Sequence, residues 1–181
     1  MVAGMVTGAL AAAVLAVGGG GGTGSSADSY WVMAQGRFAP PTAMVPSPAI
    51  TYDTKLVPAG SSIKVQQYGD DAGMTVDLRV TGLVPGHTYG AHVHQNPCGA
   101  DPKAAGGHYQ HVVDPKQANA RNEVWLDFTA DASGAGSAVA RKTWGLRSGG
   151  AASVVLHDMP GMKGARVGCV TVGFAPSPQN S

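Results

Sequence analysis

Charged residues are scarce in this sequence. Asp, Glu, Lys and Arg make up 13% of its 181 residues, and the formal net charge is +1. Lys and Arg form no runs, so no stretch of the chain has the positive charge that follows a phosphate backbone. The sequence therefore predicts no nucleic-acid partner.

Cysteine is nearly absent, because Cys98 and Cys169 are the only two. Two cysteines without C-x-x-C spacing do not make a zinc site, so a metal-thiolate role is the weaker interpretation. In an exported chain, an isolated pair far apart in sequence is most simply a disulfide. Closing a loop of this length contributes roughly 4 kcal/mol in the chain-entropy model.

Basic residues are missing from the start of the chain, where the first is Arg37. Residues 1–22 form an apolar run that ends in glycines and resembles the hydrophobic region of an export signal. A helix of a folded domain fits poorly, since the run is apolar on all sides. We expect residues 1–28 to direct export to the extracellular space, the cell envelope or the periplasm. A membrane anchor is the alternative, although the run is short for a full span.

Residues 29–48 are rich in Ser, Gly, Pro and Ala and predict a linker, because such a composition buries too little surface to order itself. Docking of Tyr30, Trp31 and Phe38 on the domain is the alternative. We expect the folded domain to span 49–175, followed by a tail at 176–181.

From residue 49 onward the sequence predicts no long amphipathic helix. Short runs alternate apolar and polar residues between turns rich in Gly, Pro and Asp, as half-buried antiparallel strands do. About eight such runs predict an all-β sandwich or closed barrel. The runs are AITYDTKLVPAG, SSIKVQQY, GMTVDLRVTGLVPG, TYGAHVH, NEVWLDFTAD, GSAVARKTW, ASVVLHD and ARVGCVTVGF.

The positions of the histidines indicate a metal-binding site. Five of the six histidines lie in GAHVHQNPC, GGHYQH and VVLHD, and the sixth, His87, fits a structural role in a turn. His92 and His94 are one residue apart in a strand-like run, so both imidazoles should point to the same face. Nitrogen ligands without thiolates suit copper or zinc, and favour copper in an exported protein.

Four motifs in order resemble the metal-site and disulfide motifs of the copper/zinc superoxide dismutase family. They are GAHVHQNPCG, GGHYQH, VVLHD and ARVGCVTVGF, and the match covers about residues 49–175. The resemblance implies an eight-stranded Greek-key β-barrel with one disulfide.

The same resemblance implies a role for each matching residue. His92, His94 and His157 would ligate copper, and His108 would be the histidine that bridges copper to zinc. Cys98 and Cys169 would form the family disulfide. Arg166 would lie over the copper and attract the superoxide anion; an ordinary surface arginine is the alternative.

The chain departs from the family pattern where zinc would bind. His111 follows His108 by only three residues, and with Asp114 this set is still one ligand short of a tetrahedral site. Zinc is therefore doubtful. The segment DMPGMKGA is also shorter than the family's charged loop, and both departures resemble the copper-only branch. There a glutamate orients the bridging-type histidine, a role for Glu123 here; a solvated residue at a strand start is the alternative.

The sequence thus predicts an exported copper-dependent superoxide dismutase that converts superoxide to dioxygen and hydrogen peroxide. The alternative is a copper-binding carrier of the cell envelope, for which Met159 and Met162 would offer soft ligands. Packing is the simpler role for both methionines. A structural β-domain without metal fits less well, because all four histidine positions and Arg166 are present.

Overall fold

Two antiparallel sheets pack face to face in the computed structural model, which describes residues 29–177. The strands are β1 (Tyr30–Arg37), β2 (Ala49–Thr51), β3 (Ser62–Asp70), β4 (Gly73–Thr81), β5 (Thr88–His94), β6 (Phe128–Thr129), β7 (Gly136–Lys142), β8 (Ser153–His157) and β9 (Arg166–Thr171). Helical structure in this part of the chain is limited to short 3-10 helices at Pro102–Ala105 and Pro115–Gln117. The all-β class is confirmed.

The order of the strands is that of a Greek-key sandwich. One sheet has the order β1-β3-β4-β7 and the other the order β2-β9-β8-β5-β6. Neighbours such as β4 and β7, or β5 and β8, are distant in sequence, so the chain crosses between the sheets several times. These crossings bring segments that are far apart in sequence to one end of the sheet that contains β5 and β8.

Each of the eight predicted runs contributes one strand, and a further strand comes from the predicted linker. β1 pairs along its whole length with β3, from Tyr30 opposite Gly69 to Arg37 opposite Ser62. The linker prediction is therefore wrong for the first part of 29–48. Residues 40–48 form turns and bends, and Phe38 is buried in the core.

The physical reason is that β1 is stabilised by backbone pairing with the edge of β3 rather than by burial of large apolar side chains. Its residues alternate half-buried and exposed, with Val32 and Ala34 packed against the core. The backbone groups of β1 are satisfied by β3, which a composition averaged over twenty residues does not reveal.

The core lies between the sheets and follows the two-residue period of the strands. On β3 and β4 the inward residues are Ile63, Val65, Met74, Val76, Leu78 and Val80, all buried. The strands β5, β8 and β9 are buried on both faces, because loops cover their outer side. The histidines lie under this loop cover.

Within residues 29–177, no helix is both long enough and apolar enough to cross a membrane. The predicted export signal at 1–28 lies outside the described residues and stays a prediction, as does most of the predicted tail at 176–181.

Candidate metal centre

Four imidazoles converge at one place on the outer face of the β5–β8 pair. One nitrogen from each of His92, His94, His108 and His157 lies within 4.8 Å of the others. In the part of the chain that the structure describes, this is the one such group of three or more possible metal ligands. The four histidines are thus positioned to hold a metal ion.

The strand β5 supplies two of the four rings. His92 and His94 point to the same face, as expected for residues two apart in a strand, and both are fully buried. Their neighbours Ala91 and Val93 point into the core. The spacing of the two histidines thus puts them on the same face of β5. The packing of Ala91 and Val93 in the core makes this the outer face of the sheet.

The other two rings come from other segments. His157 ends β8, where a register irregularity follows Leu156, and pairs with Gly90 of β5. His108 lies on a segment that runs beside β5 and forms an isolated bridge with His94. The ring centroids of His92 and His108 are 4.3 Å apart.

Each of three rings has one nitrogen engaged with a protein acceptor. The Nδ1 atoms of His94 and His157 donate to the carbonyls of Gly106 (3.1 Å) and Gly164 (2.9 Å). The Nδ1 of His108 donates to Oε2 of Glu123 over 2.8 Å. These bonds set the tautomer and leave each Nε2 with a free lone pair, as a metal ligand requires.

In His92 the two ring nitrogens have exchanged roles compared with those of the other three histidines. Its Nε2 lies 2.9 Å from Oδ1 of Asp127, although not in the direction of a good hydrogen bond, and its Nδ1 is buried without a partner. A buried polar atom without a partner is costly. Since three Nε2 atoms lie nearby, a bound metal ion would satisfy this atom, and the four residues fit such an ion.

Two of the buried rings, those of His94 and His157, are held neutral. Burial lowers the pKa of His94 to about 2, and the nearby His108 and Arg166 lower it further against the opposing hydrogen bond to Gly106. Burial likewise lowers the pKa of His157 to about 4. Neutral imidazole is the form that binds metal, so protons compete weakly for the site at neutral pH.

Glu123 is buried, with 1% of its surface exposed, and its carboxylate is fully used. Besides His108, it accepts hydrogen bonds from Nε1 of Trp125 (2.8 Å) and Nε2 of Gln110 (3.0 Å). Burial raises the pKa of Glu123, but these hydrogen bonds outweigh it and hold the pKa below its ordinary value. Glu123 is therefore ionised, and it is not the solvated residue of the alternative interpretation.

Two residues that contact the cluster, Trp125 and Asp127, are not among those predicted from the sequence. The ring of Trp125 lies 5.1 Å from that of His92, and Asp127 contacts the same histidine. A signal was present, because Glu123, Trp125 and Asp127 are spaced by two and alternate with the buried Val124 and Leu126. The rule that pairs His92 with His94 also groups these three.

Arg166 lies beside the cluster and is held in place by its own hydrogen bonds. Its guanidinium donates to the carbonyls of Pro102 (2.7 Å) and Gly106 (2.6 Å). The carbonyl of Gly106 also accepts from His94, so a single peptide group joins the two side chains. Gly106 has a φ of +71°, which favours glycine.

The disulfide between Cys98 and Cys169 is present and ties this region together. It joins the loop after β5 to β9, the strand that begins with Arg166. The loop therefore presents its carbonyls to Arg166 from a fixed position.

The two doubtful zinc ligands lie outside the cluster. His111 stacks on Trp144 with ring centroids 4.5 Å apart. The carboxylate of Asp114 caps the 3-10 helix at Pro115–Gln117, where it accepts from the backbone of Lys116 and the side chain of Gln117. His87 also lies apart, with Nε2 2.9 Å from the carbonyl of Asp158.

The cluster opens to solvent at His108. The side chain of His108 is 11% exposed, whereas His92 and His94 are fully buried. A cleft of about 480 Å³ reaches this ring. Its lining residues are Gly107, His108, Gln110, Val113, Pro115, Ala118, Glu123 and Met162.

The chain is similar to known proteins in structure but not in sequence. No family model matches the chain, and no curated protein matches its sequence. A singly substituted variant of a SOD-like protein from Bacillus subtilis is 17% identical over 76% of this chain and 96% of its own, with a TM-score of 0.50. The fold is SOD-like. A doubly substituted variant is 18% identical over 60% of this chain and 87% of its own, with a TM-score of 0.47.

Proposed function

We propose that this chain is an exported, copper-dependent superoxide dismutase that needs no zinc. The observation that carries the proposal is the four-histidine cluster, in which three rings have Nδ1 engaged and His92 has a buried Nδ1 without a partner. The SOD-like fold and the neighbouring Arg166 support it.

Copper suits this ligand set better than other common metals. All four ligands are imidazole nitrogens, and no thiolate is available because both cysteines are in the disulfide. When bound, copper would supply the one-electron Cu(II)/Cu(I) cycle in which one superoxide is oxidised to dioxygen and a second is reduced to peroxide.

The protein's own task is to orient His108 and to hold the proton on its Nδ1. His108 is the one ring of the four that reaches the cleft and whose other nitrogen is bonded to a carboxylate. Glu123 holds the proton on Nδ1, so Nε2 is the atom that can bind metal or take a proton. Because Glu123 is itself held by Trp125 and Gln110, the ring keeps its orientation when Nε2 changes partner.

Arg166 would provide the attraction for the anionic substrate. Its charge is next to the cluster and its guanidinium is fixed by two carbonyls, so the positive charge cannot move away. A fixed positive charge beside the cluster attracts an anionic substrate.

Zinc is not needed in this proposal. In the structure Asp114 is used as a helix cap and His111 stacks on Trp144, and Glu123 already occupies Nδ1 of His108. A carboxylate in that position performs the orienting role that a second metal would otherwise have.

The alternative function is a copper carrier that hands on the metal without turnover. It is favoured by Met159 and Met162, each 47% exposed, which leaves both side chains accessible from solvent. A carrier would bind copper in the same cluster but show no dismutase activity.

Metal counting combined with a dismutase assay tests the proposal. We expect purified exported protein to contain one copper and no stoichiometric zinc per chain, and the copper-loaded protein to remove superoxide catalytically. Copper binding without turnover would favour the carrier, and stoichiometric zinc would overturn the copper-only proposal.

A further inference from the structure

The loop between β8 and β9 carries two exposed methionines next to the histidine cluster. Met159 follows His157 by two residues, and Met162 lines the cleft that reaches His108 and Glu123. Each methionine is 47% exposed, although a thioether side chain is apolar and usually buried. Both side chains are therefore accessible from solvent beside the histidines.

The loop is held against the cluster by specific contacts. The backbone of Gly161 donates to Oδ2 of Asp127 over 3.0 Å, and the other oxygen of Asp127 lies beside His92. The backbone of Met159 also lies so close to β5 that a Cβ on Gly90 would be 2.5 Å from its carbonyl oxygen. The methionines are therefore presented from a fixed backbone.

The cleft offers sulfur but no free carboxylate. Its one acidic residue, Glu123, already accepts three hydrogen bonds, and Val113, Pro115 and Ala118 supply apolar surface. Hard cations such as Mg²⁺ and Ca²⁺ need free oxygen ligands, whereas thioether sulfur selects Cu(I). Met162 therefore offers the cleft a soft ligand, and no carboxylate there is free for a hard cation.

We propose that this cleft is a Cu(I) capture site, in which the thioether of Met162, assisted by that of Met159 from the same loop, binds the ion before it passes to the histidines. His108 is the receiving ligand, because it shares the cleft with Met162 and is the most exposed of the four rings. One or two thioethers hold Cu(I) more weakly than four imidazoles, so the metal moves inward. The inference rests on the proposed copper centre but concerns its loading.

Loading kinetics test this inference without measuring activity. Anaerobic metal-free protein is mixed with the Cu(I)–bathocuproine complex, and uptake is followed by the loss of its visible absorbance. Met162→Leu and the double variant Met159→Leu/Met162→Leu keep the volume but lose the sulfur. We expect the double variant to load roughly tenfold more slowly, the scale on which loss of a metal partner acts.

Two controls separate capture from general effects. Met44→Leu removes a thioether that is 100% exposed and does not line the cleft, and it should load at the wild-type rate. Loading from Cu(II) glycinate should be equal in all variants, because thioethers have little affinity for Cu(II).

A direct binding measurement complements the kinetics. In protein whose histidines already hold Cu(I), added Ag(I), a redox-inert soft ion, should shift the methyl resonance of Met162 in spectra with labelled methionine methyl groups. The resonance of Met44 should not move at the same concentration. Spectra of the Leu variants provide the assignments.

The outcomes distinguish this inference from the proposed function. Equal Cu(I) loading by wild type and the double variant, or an unmoved Met162 resonance, overturns the capture site alone. A wild-type protein that takes up copper from neither source overturns both.

Discussion

The imidazole of His108 donates its Nδ1 hydrogen to Oε2 of Glu123, and this pair joins the four-histidine cluster to the segment that carries Trp125 and Asp127. The same carboxylate oxygen accepts from Trp125, whose ring packs near His92. One buried carboxylate thus positions one proposed ligand directly and a second through an aromatic ring.

Glu123→Gln should keep the fold and most of the copper but lose activity. The amide is neutral and holds the proton on Nδ1 of His108 less firmly, so we expect dismutase activity to fall roughly 10- to 100-fold, the usual cost of losing such a partner. Activity, copper content and thermal unfolding are measured together. Asp77→Asn, on a partly buried carboxylate that is paired with Arg79 on the other sheet, is the matched control and should remain fully active. A fully active Glu123→Gln protein would contradict the role of Glu123.

Arg166→Glu should slow capture of superoxide and reverse part of its salt dependence. A negative charge beside the cluster repels the anion, and added salt screens this repulsion, so the rate of the variant should rise with ionic strength. The second-order rate constant is measured from low to high salt. Arg141→Glu, an exposed position on β7, changes net charge equally and serves as control. An unchanged rate with intact copper would remove Arg166 from the mechanism.

Loss of the disulfide should destabilise the domain and loosen the loop that positions Arg166. The bond closes a separation of 71 residues, which corresponds to roughly 4 kcal/mol in the chain-entropy model. Urea unfolding of the Cys98→Ser/Cys169→Ser variant should show a decrease of that order. In the native protein, thiol labelling under denaturing, non-reducing conditions should find no free thiol. Stoichiometric labelling of both cysteines would refute the bond.

The metal-free protein should lose stability as the pH falls below about 6.5, the ordinary value for histidine. Burial lowers the pKa of His94 to about 2 and of His157 to about 4, so between these values and 6.5 the unfolded chain binds protons that the folded chain does not. Protonation therefore favours unfolding, and the contribution of these histidines is fully present only above about pH 6.5.

Urea midpoints measured from pH 7.5 to pH 4 check this sign. A double variant with His94→Ala and His157→Ala should show a shallower acid dependence than wild type, whatever its stability at neutral pH. Equal slopes would show that other groups cause the acid sensitivity.

Much of the fold followed from the sequence because strand alternation is a local property. Each of the eight predicted runs became a strand, since its inward residues recur every second position and need no knowledge of the partner strand. β1 was missed because its stability comes from pairing with β3, a contact about thirty residues away.

The candidate site divides in the same way. The candidate ligands could be predicted from the sequence, because imidazole is chemically distinctive and the H-x-H spacing puts His92 and His94 on one face. The family resemblance also named His108 and His157, but residue spacing alone could not bring them to this pair. Only the tertiary structure decided that Trp125 and Asp127 contact His92 and that Asp114 is used as a helix cap. The physical reason is that side-chain type and spacing are carried by the chain, whereas convergence requires Greek-key crossings that bring distant segments together.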